Sequence, residues 1–300
     1  MDAINALRLF SVAITIAIFW IAPSEEASRA LVYSIAFGHY LIALWYSKKR
    51  ILRITSQPAS YPALLLIALV GYLAYANTFS LVIYFAVHHA FNESYILNFS
   101  NGTSASRESG DLNNLRLSAV FFNFFVFLAT LRNHPDLYFL NSAFLIVGVI
   151  STSIPFLFFL SRLKNVFTRA EMVRACAFEM MGLVILAVSF YTPITFIQVV
   201  CYHVVSWVFF PLYRMIKAAP GKITEYALLT AGVTFIFILL SPLGVRRYEL
   251  NDSFFKQQFF LWSYLHITFS FVFSDAQPEW ITRWFNPEKG KRVSELAPQD

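Results

Sequence analysis

Ten apolar runs follow one another along this chain, separated by short polar breaks. They lie at about 5–22, 29–46, 61–76, 79–97, 115–132, 137–160, 174–191, 194–213, 223–241 and 257–274. Roughly 20 apolar residues in a helix cover the hydrocarbon core of a bilayer. A backbone in lipid must satisfy its own N–H and C=O groups, so runs of this kind fold as helices. Composition agrees: 58% of the residues are hydrophobic and 13% charged, where a soluble domain carries about 25% charged residues. That much apolar surface has to be covered by lipid. The expected fold is all-α: a polytopic transmembrane bundle of about ten spans forming one domain over 1–278, followed by a polar cytoplasmic tail over 279–300.

Charge sets the expected orientation. After even-numbered runs come Lys48, Lys49, Arg50 and Arg53, then Arg107, then Arg162, Lys164, Arg169 and Arg174, then Arg214, Lys217 and Lys222, and finally Arg283, Lys289, Lys291 and Arg292. After odd-numbered runs there is little beyond Arg132, Arg246 and Arg247. Positive loops stay in the cytoplasm, which places both termini there. The net charge of +6 is thereby assigned to cytoplasmic loops, and nucleic acid is not an expected partner. The first run has only Arg8 ahead of it, and "PSEEASRA" behind it is a poor cleavage site, so it reads as a retained helix and not a leader. The two cysteines, Cys176 and Cys201, both lie in apolar segments and support neither a disulfide framework nor a zinc cluster.

Against this background the histidines stand out. His134, in "RNHPD", reads as a turn residue. The other five are His39, the adjacent pair His88 and His89, His203 and His266, in runs two, four, eight and ten. Each is nine or ten residues from the start of its run, which at 1.5 Å per residue is about 14 Å, near mid-membrane. All four runs go the same way, so four helices present imidazole at a common depth. One explanation is interhelical hydrogen bonding, worth about 0.6–2 kcal/mol each. Another is a shared metal site, since neutral imidazole suits Fe, Zn or Cu. On a helix His89 and Glu93 share a face, as do His88 and Asn92. Glu93 is therefore a candidate acceptor that fixes a ring tautomer, and Glu179 a second buried carboxylate that could orient a ligand. A set this rich in imidazole and poor in carboxylate argues against a carboxylate-bridged di-iron centre. The spacing allows haem as well as a bare ion.

The segments around these residues resemble one family. "FGHYLIALW", "LVIYFAVHHAFNES", "FEMMGLVILAVSFYTPITFIQVVCYH" and "LWSYLHITFS" are similar, in order and interval, to the histidine segments of the Brp/Blh family of membrane β-carotene 15,15′-dioxygenases of bacteria and archaea. The third is the closest. The chain departs from the pattern at Trp207, where the family carries a second histidine four residues after the one matching His203, and its first run is extra. The resemblance implies Fe(II) held by imidazoles, with O2 and a lipid-phase polyene as co-substrates, retinal as product, and an inner-membrane location. His266 or His89 would then complete the imidazole set. The Phe-rich "FFNFFVF" of the fifth run could line a tunnel for a rigid polyene.

Other functions fit the same residues. A transporter or channel would use the intramembrane His and Glu as an ion or proton path, although the chain lacks the internal repeats and broken helices usual there. A structural protein would use the buried rings only to tie helices together. No phosphate-binding or hydrolase motif is present.

Overall fold

The computed structural model describes residues 3–22, 24–75, 77–100, 110–137, 140–165, 167–241 and 252–273. Among them are ten α-helices and no strand: α1 (Ala3–Ile21), α2 (Glu25–Thr55), α3 (Tyr61–Tyr75), α4 (Thr78–Ser100), α5 (Gly110–Thr130), α6 (Ser142–Arg162), α7 (Arg169–Val188), α8 (Phe196–Ala218), α9 (Ile223–Leu240) and α10 (Asp252–Phe273). The expected tail over 279–300, the centre of the loop between α4 and α5, and Arg246 and Arg247 lie outside the described residues.

Local chemistry sets several boundaries. The Ser24 hydroxyl accepts the Ala27 N–H, and Glu25 and Glu26 occupy the first turn of α2, where carboxylates oppose the positive end of the helix dipole. Thr168 and Glu171 form a reciprocal capping box at the start of α7. Several boundaries differ from the sequence reading: α8 continues to Ala218 and so carries Arg214 and Lys217, and α2 is extended in the same way. Lys48 and Lys49 are not in a loop but on α2, which continues to Thr55. Lysine is a good helix former, and its long side chain carries the charge away from apolar surface.

Cross-helix pairs give the helix directions. Phe85 meets Phe127 and Ser94 bonds the Arg116 carbonyl, so α4 and α5 are antiparallel. Phe125 meets Phe144 and Phe122 meets Phe156, so α5 and α6 are antiparallel too. Helices of equal parity run together. Tyr33 stacks on Phe259 and Tyr40 bonds Ser263, aligning α2 with α10. Phe85 meets Phe196 and Tyr95 meets Phe210, aligning α4 with α8.

Among the described residues, six helices are long and apolar enough to cross a membrane: those over Ala3–Ile21, Glu25–Lys49, Asp111–Thr130, Ser142–Arg162, Phe196–Ile216 and Pro220–Leu240. The outer faces match. On α6, Phe144, Val147, Ile150, Ile154 and Leu157 are exposed at helical spacing, while Leu145, Gly148, Val149, Phe156 and Leu160 are buried. Exposed apolar stripes of this kind are unusual on a soluble monomer. Of the other four helices, α3 has 15 residues. Of the remaining three, α4 is made less apolar by the buried His88, His89, Asn92 and Glu93, whereas α7 carries Arg169, Glu171 and Arg174 besides the buried Glu179, and α10 carries the exposed Lys256 and Gln257 besides the buried Ser263.

Candidate functional site

The histidines of α2, α4, α8 and α10, five in all, meet at one place between these helices. Nε2 of His39 lies 3.3 Å from Nε2 of His266, and Nδ1 of His89 lies 3.4 Å from Nδ1 of His203. Ring centres are 5.0 Å apart for His88 and His203, 5.5 Å for His88 and His266, and 6.4 Å for His39 and His203. His88 and His203 are almost fully buried, and His39 and His89 are 8% exposed. The parallel course of α2 with α10 and of α4 with α8 lets residues from distant parts of the chain share a level. His134 is elsewhere, in the turn after α5, with its ring edge-on to Phe196.

The adjacent pair on α4 divides its work. His88 faces His203 and His266, and its Nε2 accepts from the Asn92 amide one turn on, at 2.9 Å. His89 points toward α5 and α8, stacked on Phe85 and 5.4 Å from the Phe127 ring.

The carboxylates occupy a neighbouring polar layer. Glu93 is paired with Arg8 of α1, and the Tyr202 hydroxyl lies 3.4 Å from its other oxygen. Arg8 also donates to Tyr202 at 3.0 Å and to the Phe178 carbonyl at 2.6 Å, and lies over the Phe178 ring. Glu179 accepts from Asn123 of α5 at 3.0 Å and 3.3 Å. The structure therefore engages Glu93 with Arg8 and Tyr202, and Glu179 with Asn123. Each was expected to steady a ring. Sequence reading missed Arg8 and Tyr202. The available signal was a lone arginine in an apolar run, since an intramembrane charge calls for a partner.

A cavity of about 330 Å³ opens from the rings of His39, His88 and His266. Its walls include Ala43, Ser47, Asn92, Trp207, Met215 and Ser270. No residue of α5 lines it, which corrects the expectation for "FFNFFVF". Phe122 packs on Phe156 of α6, Asn123 bonds Glu179, and Phe127 supports His89. Pro211, on the wall, cannot donate to the Trp207 carbonyl one turn back, so the helix is loosened beside the cavity.

The donor chemistry fits a metal ion. The His203 Nε2 is buried without a hydrogen-bond partner. Two imidazole nitrogens on one ion, with bonds of about 2.1 Å at tetrahedral or right angles, stand about 3.0–3.4 Å apart. The His39–His266 separation of 3.3 Å falls in that range, as it does for an N–H···N hydrogen bond. As the rings stand, no group of three or more His, Cys, Asp or Glu among the described residues forms a site that could hold an ion. A third imidazole would have to turn inward. Compared with known proteins, the chain matches no family model, no curated protein and no solved structure.

Proposed function

We propose that the chain is an integral-membrane, iron-dependent oxygenase that cleaves an isoprenoid or lipid polyene of the carotenoid class. In this reading all ten helices cross a bacterial or archaeal inner membrane with both termini in the cytoplasm. The observation that carries it is the convergence of imidazoles from four helices at the inner end of an apolar cavity. The resemblance in the histidine segments supports it, as does the exposed apolar surface, which would admit a substrate dissolved in lipid.

His39, His88, His203 and His266 would hold Fe(II), and His89 would orient His203 through the ring nitrogen facing it. Bound iron would supply the activation of O2; the polyene double bond breaks and each of its carbons takes one oxygen atom. With iron bound, the amide oxygen of Asn92 would take the N–H of the other His88 ring nitrogen and so fix the ring. The aromatic and aliphatic walls exclude water and orient the chain.

A transporter reading would use Glu93 as a carrier of protons or ions. Its buried pairing with Arg8 argues against that, because moving the charge would leave a bare guanidinium in apolar surroundings. Iron analysis of purified protein tests the main reading. About one iron per chain is expected, with loss in His203→Ala, and cells making β-carotene should lose colour on co-expression. Iron-free protein under iron-replete, anaerobic purification would end it.

A further inference from the structure

The cavity lies entirely on one side of the rings. On each of the four histidine helices its wall consists of the histidine or of residues further along the chain: Ala43 and Ser47 after His39, Asn92 after His88, Trp207 and Met215 after His203, Ser270 after His266. The side before the histidines is filled. Tyr33 stacks on Phe259 with ring centres 4.2 Å apart, Phe85 meets Phe196 at 5.4 Å, and Phe37, Val82 and Val200 are buried among them. Among the described residues, a chain reaching the rings meets packed side chains in that direction.

Size points the same way. A cavity of about 150 Å³ accommodates benzene. On that scale 330 Å³ holds about 13 carbons, roughly a third of a full carotenoid. The wall from His39 to Ser47 spans eight residues of α2, about 12 Å at 1.5 Å per residue.

We infer that this site takes a polyene end-on. One terminus enters from the side of the helix C-termini and stops at the imidazoles, so the bond presented to them is near that terminus and not at the centre of a symmetric chain. The substrate class is a linear apolar polyene with a slim end, or a chain already shortened. This inference rests on the oxygenase reading for its chemistry, but the end-on fit itself needs no iron.

Binding therefore tests it separately. Parinaric acid, a linear fluorescent polyene, is titrated into detergent-solubilised protein, the unsubstituted chain with and without a metal chelator beside Ala43→Phe and Ser270→Phe. Saturable binding of one probe per chain is expected. It should persist within about threefold after chelator treatment and weaken at least tenfold in the two cavity-filling variants. In the unsubstituted protein, parinaric acid should outcompete β-carotene. Absence of probe binding, equal binding in a folded filled variant, or stronger binding of β-carotene would each overturn the inference. Loss of iron with probe binding intact would instead overturn only the oxygenase reading. Where the loaded protein turns over a carotenoid, unequal fragments are expected, and two equal halves would refute end-on presentation.

Discussion

Arg8 of α1 and Glu93 of α4 form an ion pair at 2.5 Å with both side chains at least 97% buried. The contact joins the first helix to the helix that carries His88 and His89, and it places a neutralised pair one turn from His89. Removing one partner leaves an uncompensated buried charge, at a cost of about 3–5 kcal/mol, whereas replacing both by apolar residues is often near neutral. Arg8→Leu and Glu93→Leu are therefore each expected to lower thermal stability in detergent strongly, and the double variant to recover most of the loss. Additive losses in the double variant would show that the two residues act independently.

His89 and His203 should separate in their effects on iron. His203 has a buried, unpartnered Nε2, while its Nδ1 faces His89. A group that orients a ligand commonly contributes 10–100-fold to metal affinity. His89→Gln should thus weaken iron binding by about that factor, and His203→Ala should abolish stoichiometric binding. Equal retention of iron by the two variants would contradict this division of roles.

Helix packing gives a test independent of the site. A Cβ built on Gly148 of α6 would collide with the Phe125 ring, close to its attachment point, and such overpacking costs about 1–3 kcal/mol. Gly232 on α9 has nothing within 4 Å of that position, and alanine there is favoured by about 0.5–1 kcal/mol through helix propensity. Melting temperatures should fall for Gly148→Ala and hold or rise for Gly232→Ala. The reverse order would refute the close contact of α5 with α6.

Orientation can be checked in cells. Consecutive helices α4, α5 and α6 alternate in direction, and basic residues cluster after even-numbered runs. With ten crossings, a fluorescent protein fused after Asp300 should glow and a periplasmic phosphatase fused there should be inactive. An active phosphatase fusion would mean an odd number of crossings or an inverted bundle.

The meeting of the imidazoles was legible because it follows from one-dimensional facts. His39, His88, His203 and His266 stand at similar distances from the starts of runs that go the same way. Their relative rotation was not legible. Hydropathy carries depth but not the facing of a side chain, so the split between His88, toward the cavity, and His89, toward Phe127, emerges only from packing. Glu93 shares a helical face with its neighbour at i−4, which makes it a candidate acceptor there, and the structure pairs it with an arginine 85 positions away in sequence. A long-range ion pair outweighs a local one when it cancels a buried charge. The place of the α5 phenylalanines is illegible for a related reason: composition cannot distinguish a ring that lines a cavity from one, such as Phe122, that packs against the next helix.

In the proposed reading Trp207 stands where a further histidine is expected, and its surroundings suggest how to test that difference. It lies one turn after His203, with ring centres 6.4 Å apart, stacks on Tyr95 at 6.2 Å, and forms part of the cavity wall. Its indole nitrogen is buried without a partner, which costs about 1–3 kcal/mol relative to a satisfied donor. Trp207→His would remove bulk from the wall and put a further imidazole on the face of α8 that carries His203. If four imidazoles already hold iron, the added one should slow iron loss to a chelator by about tenfold, and the wider cavity should admit bulkier chain ends. The chelator half-life of the variant against the unsubstituted protein is the measurement. An unchanged or shorter half-life in a folded variant would place residue 207 outside reach of the ion, and the tryptophan would then be a wall of the cavity and nothing more.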